Sequence, residues 1–143
     1  MNNKSLGPLL VRLGVGIVMI VHGAGKLFSV GPAAMPITTL TDLIANHGLP
    51  AASLFAWLVA IVELGGGLLV LFGLFTRYAA LAIAINMLVA TVLVHLPKGY
   101  LKSEATLVLF LAALSLVASG AGKLSIAQVV FDREISWPAS TLS

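Results

Sequence analysis

Four apolar runs, each long enough to cross a lipid bilayer, follow one another along the chain. A transmembrane helix needs about 20 apolar residues, and the pattern predicts spans at residues 6–28, 54–74, 78–96 and 101–120. The short connection that contains Thr76 and Arg77 predicts a tight antiparallel hairpin, and Pro97 and Gly99 mark the turn before the last span. We therefore predict an all-α membrane protein, a four-transmembrane-helix bundle that forms one domain over residues 1–143.

Two shorter segments have the pattern of helices that lie at the membrane surface. The loop after the first span has apolar residues at helical spacing and then a glycine stop signal, namely Leu40, Leu43, Ile44 and Gly48. In the tail, residues 121–143, Ser125 and Gln128 have the spacing of a capping box. They predict a short helix through Phe131, with Trp137 as an interfacial anchor.

Composition supports lipid as the solvent of this chain. Of the 143 residues, 59% are hydrophobic and 9% are charged, and the mean hydropathy is +1.09, well outside the range of soluble domains. The net charge of +3 comes from scattered residues rather than from a basic run, so we expect no nucleic-acid partner. The chain has no cysteine, which excludes disulfides, thiolate nucleophiles and iron–sulfur ligation by this polypeptide.

The distribution of basic residues predicts the orientation. If the N-terminus is cytoplasmic, that side carries five basic residues against three on the other, namely Lys4, Arg12, Arg77, Lys123 and Arg133 against Lys26, Lys98 and Lys102. The positive-inside rule then favours cytoplasmic N- and C-termini. The first run could also be read as a cleaved signal peptide. Arg12 would interrupt its apolar core, however, and more apolar runs follow, so we expect a retained span.

Ionisable residues inside the spans are the main candidates for function. A charge at the bilayer centre costs about 3 kcal/mol or more, so such groups usually face the bundle interior. One stripe of the first helix carries Arg12, Gly16, Met19, Gly23 and Lys26, with His22 at its edge. Glu63 lies in the middle of the second span, where we expect Arg12 to reach it. Two interpretations stay open: an Arg12–Glu63 pair that fixes helix register, or a Glu63 that handles protons or binds a ligand.

Further polar residues are expected near the outer ends of the spans. His95 ends the third span and Glu104 begins the fourth, so both should lie near His22 and Lys26 and form a polar pocket. An ordinary interfacial role for His95 is the alternative. Bis-histidine haem ligation by His22 and His95 has no other support, and the loose spacing predicts no metal site. Asn86 is expected to form an interhelical hydrogen bond.

These residues together resemble the DoxX family of small membrane proteins. The strings that carry the resemblance are Arg12-Leu13-Gly14-Val15-Gly16, His22-Gly23, Lys26-Leu27-Phe28, Glu63-Leu64-Gly65-Gly66, Leu71-Phe72-Gly73-Leu74, Asn86-Met87-Leu88-Val89-Ala90 and Gly120-Ala121-Gly122-Lys123. The resemblance implies a multi-pass protein of the bacterial inner membrane, related to the small subunit of thiosulfate:quinone oxidoreductase. Its motif positions are His22, Gly23, Lys26 and Glu63. The family's closing motif commonly continues to an Asp after the Ser, whereas Ile126 follows Ser125 here.

The resemblance and the polar residues favour a membrane subunit of a quinone-linked redox system. We expect a quinone headgroup, with no covalent cofactor, in a pocket lined by Arg12, His22, Lys26, Glu63, His95 and Glu104. Catalytic roles are assigned to Glu63, as the proton source, and to His22, as a donor to a quinone oxygen. Because the sequence has no flavin or haem motif, the electrons are expected from a soluble redox partner.

Two other functions stay open at the level of sequence. A membrane scaffold would anchor soluble partner proteins and use the polar residues only for packing. A small transporter or proton conduit through Glu63 would need alternating access, for which four short helices leave little room unless the chain forms a homo-oligomer.

Overall fold

The computed structural model describes residues 6–122 and 124–131, which are helical over most of their length. The helices are α1 (Leu6–Phe28), α2 (Ile37–Asn46), α3 (Ala52–Phe72), α4 (Thr76–Val89), α5 (Tyr100–Ser119) and α6 (Ile126–Phe131). A π-helical turn (Ala90–His95) and a 3-10 turn (Leu96–Lys98) extend α4 without a break. Four helices of the described part, α1, α3, extended α4 and α5, are long and apolar enough to cross a membrane. The predicted all-α membrane fold is confirmed, and each of these helices begins and ends within two residues of its predicted span.

The spanning helices form a ring in which sequence neighbours pack side by side. The α1–α3 contact is the most extensive, followed by α4–α5 and then α3–α4, and the α5–α1 contact that closes the ring is the least extensive of the four. The buried apolar residues at the centre come from all four helices and include Val15, Met19, Val70, Ile83 and Leu116. Small residues between them, such as Ala80 and Ala113, are fully buried and allow the helices to approach closely.

Glycines set the register between α1 and α3. A Cβ atom on Gly23 would overlap the backbone of Leu64, and one on Gly16 would lie 2.8 Å from the Cβ of Leu71. Neither position can therefore carry a side chain without moving the helices apart. The predicted polar and glycine stripe of α1 is the face that is buried against α3.

The α3–α4 hairpin follows from the chemistry of its turn. Gly73 has a positive φ of 73°, and the Leu74 N–H donates to the Leu69 carbonyl at 2.8 Å, as in a Schellman motif. Phe75 is also left-handed, with φ 46°, and Thr76 begins α4. The connection is thus a tight turn, as the sequence predicts.

The two predicted short helices are present. In α2, Leu40 and Ile44 are buried and pack with Ala56, so this helix lies against the first turns of α3. Before α6, Ser125 accepts a hydrogen bond from the Gln128 N–H at 3.2 Å, which is the predicted capping interaction. Trp137, the predicted anchor, lies outside the described residues.

Candidate functional site

A buried ion pair joins α1 to α3 at the middle of the bundle. The Lys26 Nζ lies 2.5 Å from the Glu63 Oε2, and the two side chains are 9% and 5% exposed. Glu63 is eleven residues from the start of α3 and nine from its end, which places its carboxylate near mid-membrane. Asn86 on α4 donates from its Nδ2 to the other carboxylate oxygen, Oε1, at 3.4 Å. Three helices therefore meet at this carboxylate.

The fold explains why Lys26 reaches Glu63. Side chains on a helix lean toward its N-terminus, so the Lys26 chain runs back along α1 toward the level of Gly23. At that level α1 touches the backbone of Leu64, the residue after Glu63. Because Gly23 has no side chain, α3 comes close enough for the ammonium and the carboxylate to pair.

Pairing is what makes these charges tolerable in the membrane. An isolated charge at the bilayer centre is costly, whereas a hydrogen-bonded pair of opposite charges presents no net charge to the hydrocarbon. The Lys26 ammonium donates the hydrogen bond, and the Glu63 carboxylate accepts it. The Lys26–Glu63 pair is thus a hydrogen-bonded ion pair enclosed by three helices.

His22 lies beside this pair but on the outside of the bundle. It precedes Gly23, so it is at the level of Glu63, and it is one helical turn from Lys26. Its side chain is exposed, in contrast to the buried Lys26 and Glu63. Within residues 6–122 and 124–131 the imidazole makes no hydrogen bond. The hydrogen-bonding capacity of the ring is therefore unused within the described chain.

The expected Arg12–Glu63 contact is wrong. Arg12 is 2% exposed and donates to four backbone carbonyls instead. Its Nε bonds to Val70 at 3.0 Å, its Nη2 to Leu71 at 2.9 Å, and its Nη1 to Ala121 at 2.8 Å and to Leu124 at 3.1 Å. The reason is the register of α1 on α3, which places Arg12 at the last turn of α3. The last carbonyls of a helix lack the N–H partner four residues on that interior carbonyls have, although Val70 also accepts from the Gly73 N–H at 3.1 Å. The helix dipole there attracts a cation.

This contact also shows which of the described elements share one end of the bundle. Because Arg12 bonds to carbonyls that follow α5, the start of α1, the α3–α4 turn and α6 share one end of the bundle. We call this the Arg12 end, and the opposite one, where α2 packs on α3, the α2 end.

The other two predicted site residues lie away from the ion pair. The His95 Nδ1 is 2.8 Å from the Ala90 carbonyl in the π-helical turn, nine residues beyond Asn86, so it lies roughly 13 Å farther toward the α2 end. Glu104 is exposed on α5. The expected single pocket is therefore not formed as one cluster, although the roles of its residues stay predictions. In the described part of the chain, no group of three or more potential metal ligands comes together.

A hydroxyl contact that the sequence did not predict joins α4 to α5. The Thr91 hydroxyl bonds to the Thr106 hydroxyl at 2.9 Å, between the levels of Asn86 and His95. Each threonine alone is a weak signal, and only the pairing of the helices reveals the contact.

Comparison with known proteins supports the family that the sequence resembles. The family model DoxX matches residues 7–96. The chain is 32% identical over 132 residues to a Bacillus subtilis (strain 168) protein named "Putative oxidoreductase CatD", covering 90% of this chain and 92% of that protein. It is 33% identical over 145 residues to the "Uncharacterized membrane protein Rv3486" of Mycobacterium tuberculosis (strain ATCC 25618 / H37Rv), covering 90% and 80%. No solved structure matches the chain at a significant level. The chain is a multi-pass membrane protein that belongs to the DoxX family.

Proposed function

We propose that this protein is the membrane subunit of a quinone-linked oxidoreductase and that a quinone headgroup binds beside His22, next to the Lys26–Glu63 pair. One observation carries the proposal. An imidazole without a hydrogen-bond partner in the described chain is exposed at the depth of a buried ion pair.

The surroundings of His22 favour a ligand that arrives through the bilayer. A polar group in hydrocarbon without a hydrogen bond is unfavourable, so a bound acceptor would stabilise this surface. A quinone is soluble in lipid, has an apolar ring that fits a membrane-facing surface, and presents carbonyl oxygens that accept hydrogen bonds. Such a ligand reaches His22 from the side and needs no channel to water.

In the proposed reaction, His22 and the Lys26–Glu63 pair provide the protons for quinone reduction. Converting a quinone to a quinol takes two electrons and two protons. In this proposal His22 donates a hydrogen bond to one carbonyl oxygen and transfers that proton on reduction, and the Lys26–Glu63 pair, one turn away, supplies the second proton. Water at the membrane surface then replaces both protons. A soluble redox protein supplies the electrons. The name of the Bacillus subtilis relative, "Putative oxidoreductase CatD", supports this reaction class.

The proposed location is the bacterial inner membrane, with both termini in the cytoplasm. The excess of basic residues predicted for the Arg12 end supports this orientation. The soluble partner would then dock on the cytoplasmic side or reach the quinone through the bilayer surface.

Quinone binding can be measured with the fluorescence of Trp57. This residue is 47% exposed, six residues before Glu63 on α3, and quinones quench tryptophan emission. In a Trp137→Phe background, Trp57 is the only tryptophan, because the chain has two. We expect saturable quenching when decylubiquinone is titrated into the protein in nanodiscs.

A matched pair of histidine variants tests the site. His22→Phe should weaken quinone binding about tenfold or more, the typical effect of losing a hydrogen bond of 1.5 kcal/mol or above. His47→Phe, on the exposed end of α2, should leave binding unchanged. Quenching that does not saturate, or equal affinity in both variants, would exclude this quinone site.

A further inference from the structure

A narrow crevice lies at the Arg12 end, where the α3–α4 turn meets the segment after α5. It is lined by Gly73, Phe75, Thr76, Arg77, Ala121 and Ala127, among others. We infer that the N-terminus of α4, together with the side chains of Thr76 and Arg77, binds a phosphate group in this crevice. The site is separate from the Lys26–Glu63 pair and does not depend on the proposed quinone reaction.

The Thr76 hydroxyl is the first observation that points to a ligand. Thr76 is 4% exposed, and its Oγ1 has no hydrogen-bond partner among residues 6–122 and 124–131. A buried hydroxyl is nearly always satisfied by protein, water or a ligand. Because Thr76 lines the crevice, a group that enters the crevice can accept the hydrogen bond of its hydroxyl.

The start of α4 adds further donors. The helix has no side-chain cap and no acidic residue in its first turn. The Ala79 N–H donates to the Phe75 carbonyl at 3.0 Å, which is the regular bond between residues four apart. The N–H groups of Thr76 and Arg77 therefore have no acceptor within the helix, and the positive end of the helix dipole favours an anion.

Charge at this end also favours an anion. Arg77 is half-buried at the start of α4, and the guanidinium of Arg12 packs directly against Gly73 in the preceding turn. The acidic residues of the described chain are Asp42, Glu63 and Glu104, in α2, mid-membrane and at the start of α5, and none lies at the Arg12 end. Two arginines thus lie near the crevice without a nearby described carboxylate.

The membrane depth of Thr76 and the small volume of the crevice point to a phosphate group that places one of its oxygens inside the crevice. Thr76 is ten residues before Asn86, so it lies about 15 Å from the level of Glu63, half the thickness of the hydrocarbon layer. Lipid phosphates lie just outside that boundary, in the headgroup region. The enclosed space is about 10 Å³, room for a single oxygen atom rather than for a whole ligand. One phosphate oxygen would accept from Thr76 and the α4 N–H groups, and the others would face Arg77 at the surface.

The test uses the full-length protein in nanodiscs and two sources of phosphate. Thermal unfolding is measured in phosphatidylcholine alone, with phosphatidylglycerol added, and with inorganic phosphate added. We expect the wild type to be stabilised by one of these additions. Stabilisation by phosphatidylglycerol alone identifies a lipid headgroup, and equal stabilisation by inorganic phosphate identifies a water-soluble phosphate.

Three variants decide whether the crevice is responsible. Thr76→Val keeps the shape but removes the hydroxyl, so it should weaken phosphate binding about tenfold while leaving the phosphate-free protein at least as stable as wild type. Arg77→Gln should also weaken binding. Lys98→Gln, which removes one exposed charge at the α2 end, should not. The inference is overturned if neither phosphate source stabilises the wild type, if Thr76→Val and wild type respond equally, or if Lys98→Gln matches Arg77→Gln.

Discussion

Replacing Lys26 alone and replacing Glu63 alone should change the pH dependence of the unfolding free energy in opposite directions. Lys26→Met leaves a carboxyl group that is 4% exposed, and Glu63→Gln leaves an ammonium group that is 8% exposed. Each remaining group can either stay charged without its partner or become neutral by exchanging a proton with water. The loss of stability equals the smaller of two free energies, that of burying the unpaired charge and that of neutralising it.

For Lys26→Met, protonation of the carboxyl group limits the loss. At pH 7 the neutral form of an ordinary glutamic acid lies about 3.7 kcal/mol above the ionised form, and this difference falls by about 1.4 kcal/mol for each unit of pH. In the unfolded chain the group ionises freely. The free energy needed to protonate it in the folded state is therefore close to zero below about pH 4 and increases progressively above that pH. The variant should therefore lose least stability in acid.

For Glu63→Gln, deprotonation of the ammonium group limits the loss. At pH 7 the neutral form of an ordinary lysine lies about 4.6 kcal/mol above the charged form, and this difference falls as the pH rises. The variant should therefore lose least stability in alkali. The neutralisation free energies of the two groups at pH 7 both fall within the 3–5 kcal/mol that is typical of removing one partner of a buried pair.

Reversible unfolding by SDS in mixed micelles, at pH 5.5 and pH 8, measures both effects. Between these values, the loss relative to wild type should change by about 2–3 kcal/mol, with opposite sign in the two variants. The double variant Lys26→Met/Glu63→Leu leaves no charge behind, so its difference from wild type should be small and nearly independent of pH. The same sign in both single variants, or no dependence in either, would refute the buried, paired arrangement.

Three further predictions follow from the packing. Gly23→Ala should destabilise by about 1–3 kcal/mol in the same unfolding assay because its Cβ would overlap α3, whereas Gly14→Ala, with open space around the new Cβ, should stabilise by up to about 1 kcal/mol. Arg12→Lys keeps the charge but cannot reach four carbonyls at once, so limited proteolysis should cut the segment after α5 faster than in wild type. A double-mutant cycle of Thr91→Val and Thr106→Val should give a coupling of about 0.6 kcal/mol, and a zero coupling would contradict their contact.

The sequence predicted the helices well because hydropathy, turn residues and caps act locally. Each span is a continuous apolar run, the α3–α4 turn contains Gly73, and the Ser125 cap needs only its own next turn. In lipid the backbone must also satisfy its hydrogen bonds within each helix. Local signals therefore determined the element types with little competition from tertiary structure.

The pairing inside the membrane was harder to predict because it depends on how far one helix slides along another. Depth counted from the helix ends suggested that Arg12 reaches Glu63 and left Lys26 near the interface. In the structure, α1 ends two residues after Lys26, whereas α3 continues for eleven residues beyond Glu63 in the same direction. Helix α1 is thus displaced toward the Arg12 end. The close approach of Gly23 to Leu64 sets this displacement. The sequence does not show which residue of a neighbouring helix a given glycine contacts.

The double variant also separates the two interpretations of the ion pair that the sequence left open. If Lys26 and Glu63 only fix helix register, then Lys26→Met/Glu63→Leu keeps the fold through apolar packing, and quinone quenching of Trp57 is unchanged. If they supply the proton for a ligand at His22, the double variant is as stable as wild type and binds quinone, because His22 remains, yet it no longer supports quinol formation with the reducing partner. The stability of the variant removes unfolding as an explanation. A stable, quinone-binding and reaction-competent double variant would leave the pair a purely structural role.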